Sequence, residues 1–145
     1  MESRLDFYKT NPDVIKALMA VENQVSKGTL DITLKELVRL RASQINGCAF
    51  CVDMHVTEAR KAGETERRMA TVVAWRESLF FTARERAALE WTEALTLVSH
   101  DHVPDAVWHA VRPFFDDAEL MDLTLLVTSI NSWNRFAVAF RKMPV

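Results

Sequence analysis

Cys48, Cys51, His55 and Glu36 are the residues of this chain whose types and spacing can do chemistry. Both cysteines of the sequence lie in one Cys48-Ala-Phe-Cys51 segment. On a helix, Cys48 and Cys51 stand at i and i+3, and Cys51 and His55 at i and i+4, so all three line one face. Two sulfurs so spaced reach bonding distance with only local adjustment, and an imidazole sits one turn from Cys51. A thiol of ordinary pKa, about 8.5, is only a few per cent thiolate at neutral pH, and the thiolate is the reactive form. Cys48 follows Gly47 directly, which puts the pair in the first turn of its helix, where unpaired N–H groups stabilise an anion. His55 can take or share the proton. A bridge between the cysteines closes a tiny loop and restricts the unfolded chain little. In a reducing compartment such a pair is more often catalytic or metal-binding than structural.

Glu36 enters by geometry. Helices on either side of Asn46-Gly47 that fold back as an antiparallel hairpin carry Glu36 ten residues before Asn46 and His55 nine after it. Equal rise along both then brings the carboxylate level with the imidazole, where it can orient the ring, raise its basicity or pass a proton. It should not touch the thiolate, because adjacent anions repel. A competing reading is local: Thr33-x-x-Glu36 is spaced as a capping box, as is Thr82-x-x-Glu85, which has no such site attached.

The elements that must hold these residues read as helices throughout. Asn11-Pro12 pairs an N-cap with a first-turn proline, and Asp116-x-x-Glu119 repeats the box spacing. Three glycines, Gly28, Gly47 and Gly63, each end a helical pattern. Helices are predicted over 12–27, 34–45, 48–62, 66–78 and 83–98, with a short one from Pro104 stopped by Pro113. The last and longest, 117–141, is apolar on most sides through Leu120, Met121, Leu125, Leu126, Val127 and Ile130, and reads as a central buried helix. No period-2 strand pattern occurs. The expectation is one all-α helical bundle over 1–145, with the Cys-x-x-Cys at the start of a helix.

Composition narrows the function classes. The chain is 145 residues long, 49% hydrophobic and 26% charged, large enough to fold without a metal or disulfide staple. Its formal charge of −2 gives no basic footprint for nucleic acid. The start, Met1-Glu-Ser-Arg-Leu-Asp, has neither the basic nor the apolar region of a secretion signal, and the stretch Leu120 to Ile130 is too short to span a bilayer. A soluble, cytoplasmic, reducing location is therefore expected, without membrane or nucleic-acid partners.

The pattern Glu36-x11-Cys48-x2-Cys51-x3-His55 resembles the signature of the AhpD-like alkylhydroperoxidases, within the carboxymuconolactone decarboxylase superfamily. The resemblance takes in Glu36-Leu-Val-Arg-Leu-Arg-Ala-Ser-Gln-Ile-Asn-Gly-Cys48, Leu79-Phe-Phe-Thr-Ala-Arg-Glu-Arg-Ala-Ala-Leu89 and Trp133-Asn-Arg135. It implies an all-helical fold of the AhpD-like type, a homo-oligomer (trimer or hexamer) and an antioxidant, peroxiredoxin-like activity. It also implies roles. Cys51 attacks the hydroperoxide substrate and becomes a sulfenic acid, Cys48 resolves it to a disulfide, and Glu36 and His55 relay protons. A dithiol reductant, lipoyl or thioredoxin-like, then restores the thiols by exchange. No cofactor or resident metal is implied. The chain departs from the best-known peroxidases at Phe50, where they carry a second histidine between the cysteines.

Other readings stand beside this one. The cysteines can simply pack as small hydrophobes. They can also join His55 as zinc ligands, with Glu36, His100, His102 or His109 as a fourth. The superfamily resemblance also allows decarboxylase-type carbon chemistry on the same fold, and a non-enzymatic redox switch or partner-binding oligomer would use the dithiol without turnover. Asn131, Asn134 and Arg135 either line the site or a subunit contact, or lie in an exposed half of the last helix. Trp75, Trp91, Trp108 and Trp133 read as core or interface rather than ligand stackers.

Overall fold

A computed structural model describes residues 2–144, and among them every regular element is a helix. In order these are α1 (Phe7–Thr10), α2 (Pro12–Lys27), α3 (Ile32–Ile45), α4 (Ala49–Lys61), α5 (Glu66–Thr71), a 3₁₀ segment (Val72–Glu77), α6 (Ala83–Thr96), α7 (Val98–Asp101), α8 (Asp105–Val111) and α9 (Asp117–Phe140). The all-α expectation holds. No helix among the described residues is long and apolar enough to cross a membrane.

The helix starts follow their caps. Asn11 accepts from the Val14 N–H ahead of Pro12, and Thr82/Glu85 and Asp116/Glu119 form reciprocal capping boxes. The third expected box fails. Asp31, not Thr33, caps α3, accepting from Leu34 N–H at 2.8 Å, while the Thr33 hydroxyl donates to Asp31 Oδ1. Glu36 is thereby released from any capping duty.

Two predicted helices are divided. The 66–78 segment changes from α to 3₁₀ at Val72 and bends at Ala74, with φ −117° and ψ 33°. The β-branched run Thr71-Val72-Val73 lowers local helix propensity, and the carbonyls freed beyond it are taken by Arg86, which donates to those of Trp75 (2.9 Å), Ser78 (2.9 Å) and Arg76 (3.0 Å). The 83–98 helix ends at Thr96, and α7 restarts it for one turn. The short α1 has no counterpart among the sequence expectations. It is held by Phe7, whose ring packs on Phe136 and Phe140 at 5.7 and 5.9 Å.

The central helix is α3 rather than α9. Leu34 and Val38 enter one core with Trp91, Phe115, Leu123 and Leu126, while Leu37 and Leu40 enter a second with Val72, Trp75, Phe81 and Leu89. Even Lys35, Glu36, Arg39 and Ser43 of α3 are buried. On α9, Met121 faces outward at 71% exposure, so the apolar surplus read there does not make that helix buried all round.

The α3–α4 corner sets the cysteines. Gly47 takes φ +65°, a left-handed conformation that costs a residue with a Cβ strain. The Cys48 N–H then returns to the Ser43 carbonyl at 3.0 Å. Asn46 Nδ2 donates to Asn131 Oδ1 (3.0 Å) and Asn134 Oδ1 (2.8 Å), and Asn134 Nδ2 donates to Ser43 Oγ (3.0 Å). The polar residues of α9 therefore clamp the turn that leads into the Cys-x-x-Cys, and Asn134, 1% exposed, is no surface residue.

Candidate active site

Cys48 is the N-cap of α4, and its sulfur accepts from the Cys51 N–H at 3.2 Å. The two cysteines are disulfide-bonded, with Cα atoms 5.3 Å apart, and both are buried. One turn on, His55 is also buried. Its Nδ1 lies 2.8 Å from Glu36 Oε2 across the α3–α4 pair. The hairpin alignment expected from sequence is thus the one observed, and all four predicted residues converge.

Glu36 stands behind His55 and does not line the cavity onto which Cys51 and His55 open. Its other oxygen, Oε1, accepts from Arg39 Nη1 at 2.6 Å. Arg39 Nη2 in turn donates to Glu22 Oε1, and Glu22 Oε2 accepts from the Ser129 hydroxyl at 2.7 Å. Burial of Glu36 opposes its ionisation and is the largest single influence. The His55 bond and charge, with the Arg39 charge and bond, together outweigh it and hold the carboxyl below its ordinary value of 4.5. An ionised Glu36 fixes His55 as the Nδ1–H tautomer, a donor to Oε2, and leaves Nε2 as a proton acceptor. That Nε2 is buried and has no hydrogen-bond partner among the described residues.

The cavity beside Cys51 and His55 has a volume of about 210 Å³. Phe7, Tyr8, Phe50 and Trp133 supply rings to its wall, and Arg39 and Glu22 its polar floor. Among the described residues no group of three or more His, Cys, Asp and Glu side chains is arranged to hold a metal ion. His100, His102 and His109 lie on or beside α7 and α8, outside this site.

Comparison with known proteins shows the family. The sequence profile of the carboxymuconolactone decarboxylase family matches residues 12–94. The uncharacterized Bacillus subtilis protein YdfG is 42% identical over 139 residues, 96% of this chain and 95% of that protein. The chain belongs to the carboxymuconolactone decarboxylase family.

Within that family it is AhpD-like. A crystal structure of an Agrobacterium tumefaciens protein of unknown function, with a suggested identity as the antioxidant defence protein AhpD, superposes with TM-score 0.96 at 43% identity over 99% of both chains. An uncharacterized peroxidase-related protein from Silicibacter shares the fold, with TM-score 0.84 at 24% identity over 95% of this chain and 73% of that one.

Several contributors to the site of this family member, Phe7 of the cavity wall among them, escaped sequence reasoning. Arg39 carried a signal, since an arginine at i+3 from Glu36 amid Leu37, Val38 and Leu40 must find a carboxylate when buried. Glu22 and Tyr8 carried none, because they arrive from α2 and α1 through tertiary packing. Trp133 lines the cavity rather than a plain core, while Trp75 and Trp91 are core and Trp108 is 43% exposed.

Proposed function

We propose that this chain is a thiol-dependent peroxidase, a dithiol-disulfide oxidoreductase that reduces organic hydroperoxides through Cys48 and Cys51. The observation that carries the reading is the buried Glu36–His55 pair beside a cysteine couple able to close a disulfide, with Cys51 and His55 opening on one cavity. Cys51 is assigned the attacking role because it lines that cavity and Cys48 does not.

In the reduced protein, His55 Nε2 takes the Cys51 thiol proton while Nδ1–H stays bonded to Glu36. The thiolate attacks the terminal peroxide oxygen and the O–O bond breaks. The leaving alkoxide takes the proton back from His55 as an alcohol, and Cys51 is left as a sulfenic acid. The Cys48 thiol displaces hydroxide from that sulfur, giving the disulfide and water. A dithiol donor, lipoyl or thioredoxin-like, then attacks the disulfide, restoring both thiols and leaving as its own disulfide. The balance is one hydroperoxide and one dithiol consumed for one alcohol, one water and one donor disulfide. The reading includes a reducing, cytoplasmic setting and a homo-oligomer, trimeric or hexameric.

The test is stopped-flow oxidation of the reduced protein by an organic hydroperoxide, with free thiols counted before and after. Rapid loss of both thiols, abolished in Cys51→Ser, is the expected result. Slow oxidation that survives Cys51→Ser overturns the proposal.

A further inference from the structure

Reduction of a peroxide needs a thiol, a proton carrier and room for two oxygens; the cavity here is much larger and differently walled. Its volume is about 210 Å³, and an apolar cavity of about 150 Å³ already accommodates a benzene ring. Tyr8 and Trp133 line it as a stacked pair, 6.3 Å between centroids and 20° between planes. Phe7 and Phe50 add two further rings. Such surfaces favour the offset and edge contacts of another aromatic group.

The charges of the site are spent internally. Arg39 is committed to Glu36 and Glu22, and Glu22 to Arg39 and Ser129. The floor therefore offers no spare cation to an anionic ligand, and a carboxylate would lose its water without a partner. Lys142 Nζ stands 5.6 Å from the ring centroids of Tyr8 and Phe50 but does not line the cavity. At this site His55 Nε2 is buried and without a hydrogen-bond partner among the described residues.

We propose that the cavity is a subsite for the organic part of an uncharged hydroperoxide bearing an aromatic ring, its ring against Tyr8, Trp133 and Phe50 and its peroxy end at His55 Nε2 beside Cys51. The peroxy end rests on the peroxidase reading above; the ring subsite rests on the cavity alone. Selection against anions follows from the self-paired floor, and selection for a ring from the stacked wall.

The experiment uses the protein in its disulfide form, so that no reaction intervenes. It is titrated with 2-phenyl-2-propanol, the alcohol an aryl hydroperoxide would leave, and with 2-phenylpropanoate, an anion of similar size, followed by NMR of the tryptophan indoles. The expected result is saturable binding of the alcohol and binding of the anion at least about tenfold weaker, a factor that corresponds to ~1.4 kcal/mol. Tyr8→Ala and Trp133→Ala should each weaken the alcohol by about tenfold. Tyr8 is 41% exposed, so its truncation leaves the core in place. Equal or tighter binding of the anion, or unchanged alcohol binding in both variants, overturns the inference. Alcohol binding in a protein inert to peroxide sinks the peroxidase reading and keeps the ring subsite. Rapid peroxide turnover without alcohol binding does the reverse.

Discussion

His55 on α4 and Glu36 on α3 meet through Nδ1 and Oε2 at 2.8 Å, nineteen positions apart in sequence and both buried. A carboxylate in that position sets the imidazole tautomer and holds the ring in place, as a general acid–base pair requires. Glu36→Gln keeps the shape and removes the charge. Peroxide-driven loss of thiols should slow by about a hundredfold, within the range general acid–base catalysis contributes, when followed by stopped flow well below the unfolding temperature. An unchanged rate would leave Glu36 as an anchor for Arg39 and nothing more.

Arg39 is a positioning residue for Glu36, which it bonds through Nη1 while also lining the cavity beside Cys51. Its guanidinium joins two carboxylates from different helices, which a lysine ammonium cannot match in geometry. Arg39→Met leaves buried Glu36 with His55 as its remaining partner, and breaking a buried pair this way costs about 3 kcal/mol, to be read from urea unfolding. The Glu36 pKa should rise, so the oxidation rate should fall off at a higher pH than in the unmutated protein. Arg39→Lys should recover part of the stability and move the pH profile back only partway. A pH profile unmoved by Arg39→Met would show that Glu36 does not depend on this arginine for its ionisation.

Acid should weaken the fold through named carboxylates. Burial works against ionisation of Glu93, yet its bonds from Arg76, Trp75 and Arg41, with the Arg41 charge, hold its pKa below the ordinary 4.5. Glu36 is depressed likewise. A group whose folded pKa lies below its unfolded one contributes stability above the unfolded value and loses it as pH falls through the folded value. Unfolding free energy should therefore change little through these groups between pH 7 and the ordinary carboxylate range, then drop below pH 4.5. Denaturant titrations across that window should show the drop flattened in Glu93→Gln. An unaltered acid slope in that variant would place the acid sensitivity elsewhere.

What the sequence made legible divides along local and tertiary lines. The Glu36–His55 juxtaposition was readable because a helical hairpin converts sequence distance from Asn46-Gly47 into height along two helices, and α3 and α4 pack as that hairpin does. The boxes at Thr82 and Asp116 were readable because their partners are three residues away. The Thr33 box misled because Asp31, two residues earlier, competes for the same N–H groups and wins with a charge. The break at Val72 depends on Arg86 from another helix. The cavity wall was not readable for the same reason: Phe7 and Tyr8 come from the far N-terminus and Trp133 from α9, and no local spacing links them.

The turn before the cysteines yields the last prediction, because two different physical effects hold it. At Gly47 the constraint is conformational. Nothing lies within 4 Å of where a Cβ would sit, but the φ of +65° is left-handed. Gly47→Ala should cost about 1 kcal/mol through backbone strain alone. At Asn134 the constraint is hydrogen bonding: Asn134→Ala takes one partner from Asn46 and one from the fully buried Ser43 hydroxyl. Leaving buried polar groups unmatched costs about 2 kcal/mol. Both variants should accelerate amide hydrogen exchange at Cys48, whose N–H closes the turn on the Ser43 carbonyl. Both should also slow disulfide closure after peroxide addition, since that step brings the Cys48 sulfur onto Cys51. Closure as fast as in the unmutated protein, despite faster exchange, would mean that the turn stabilises the fold without positioning the thiols.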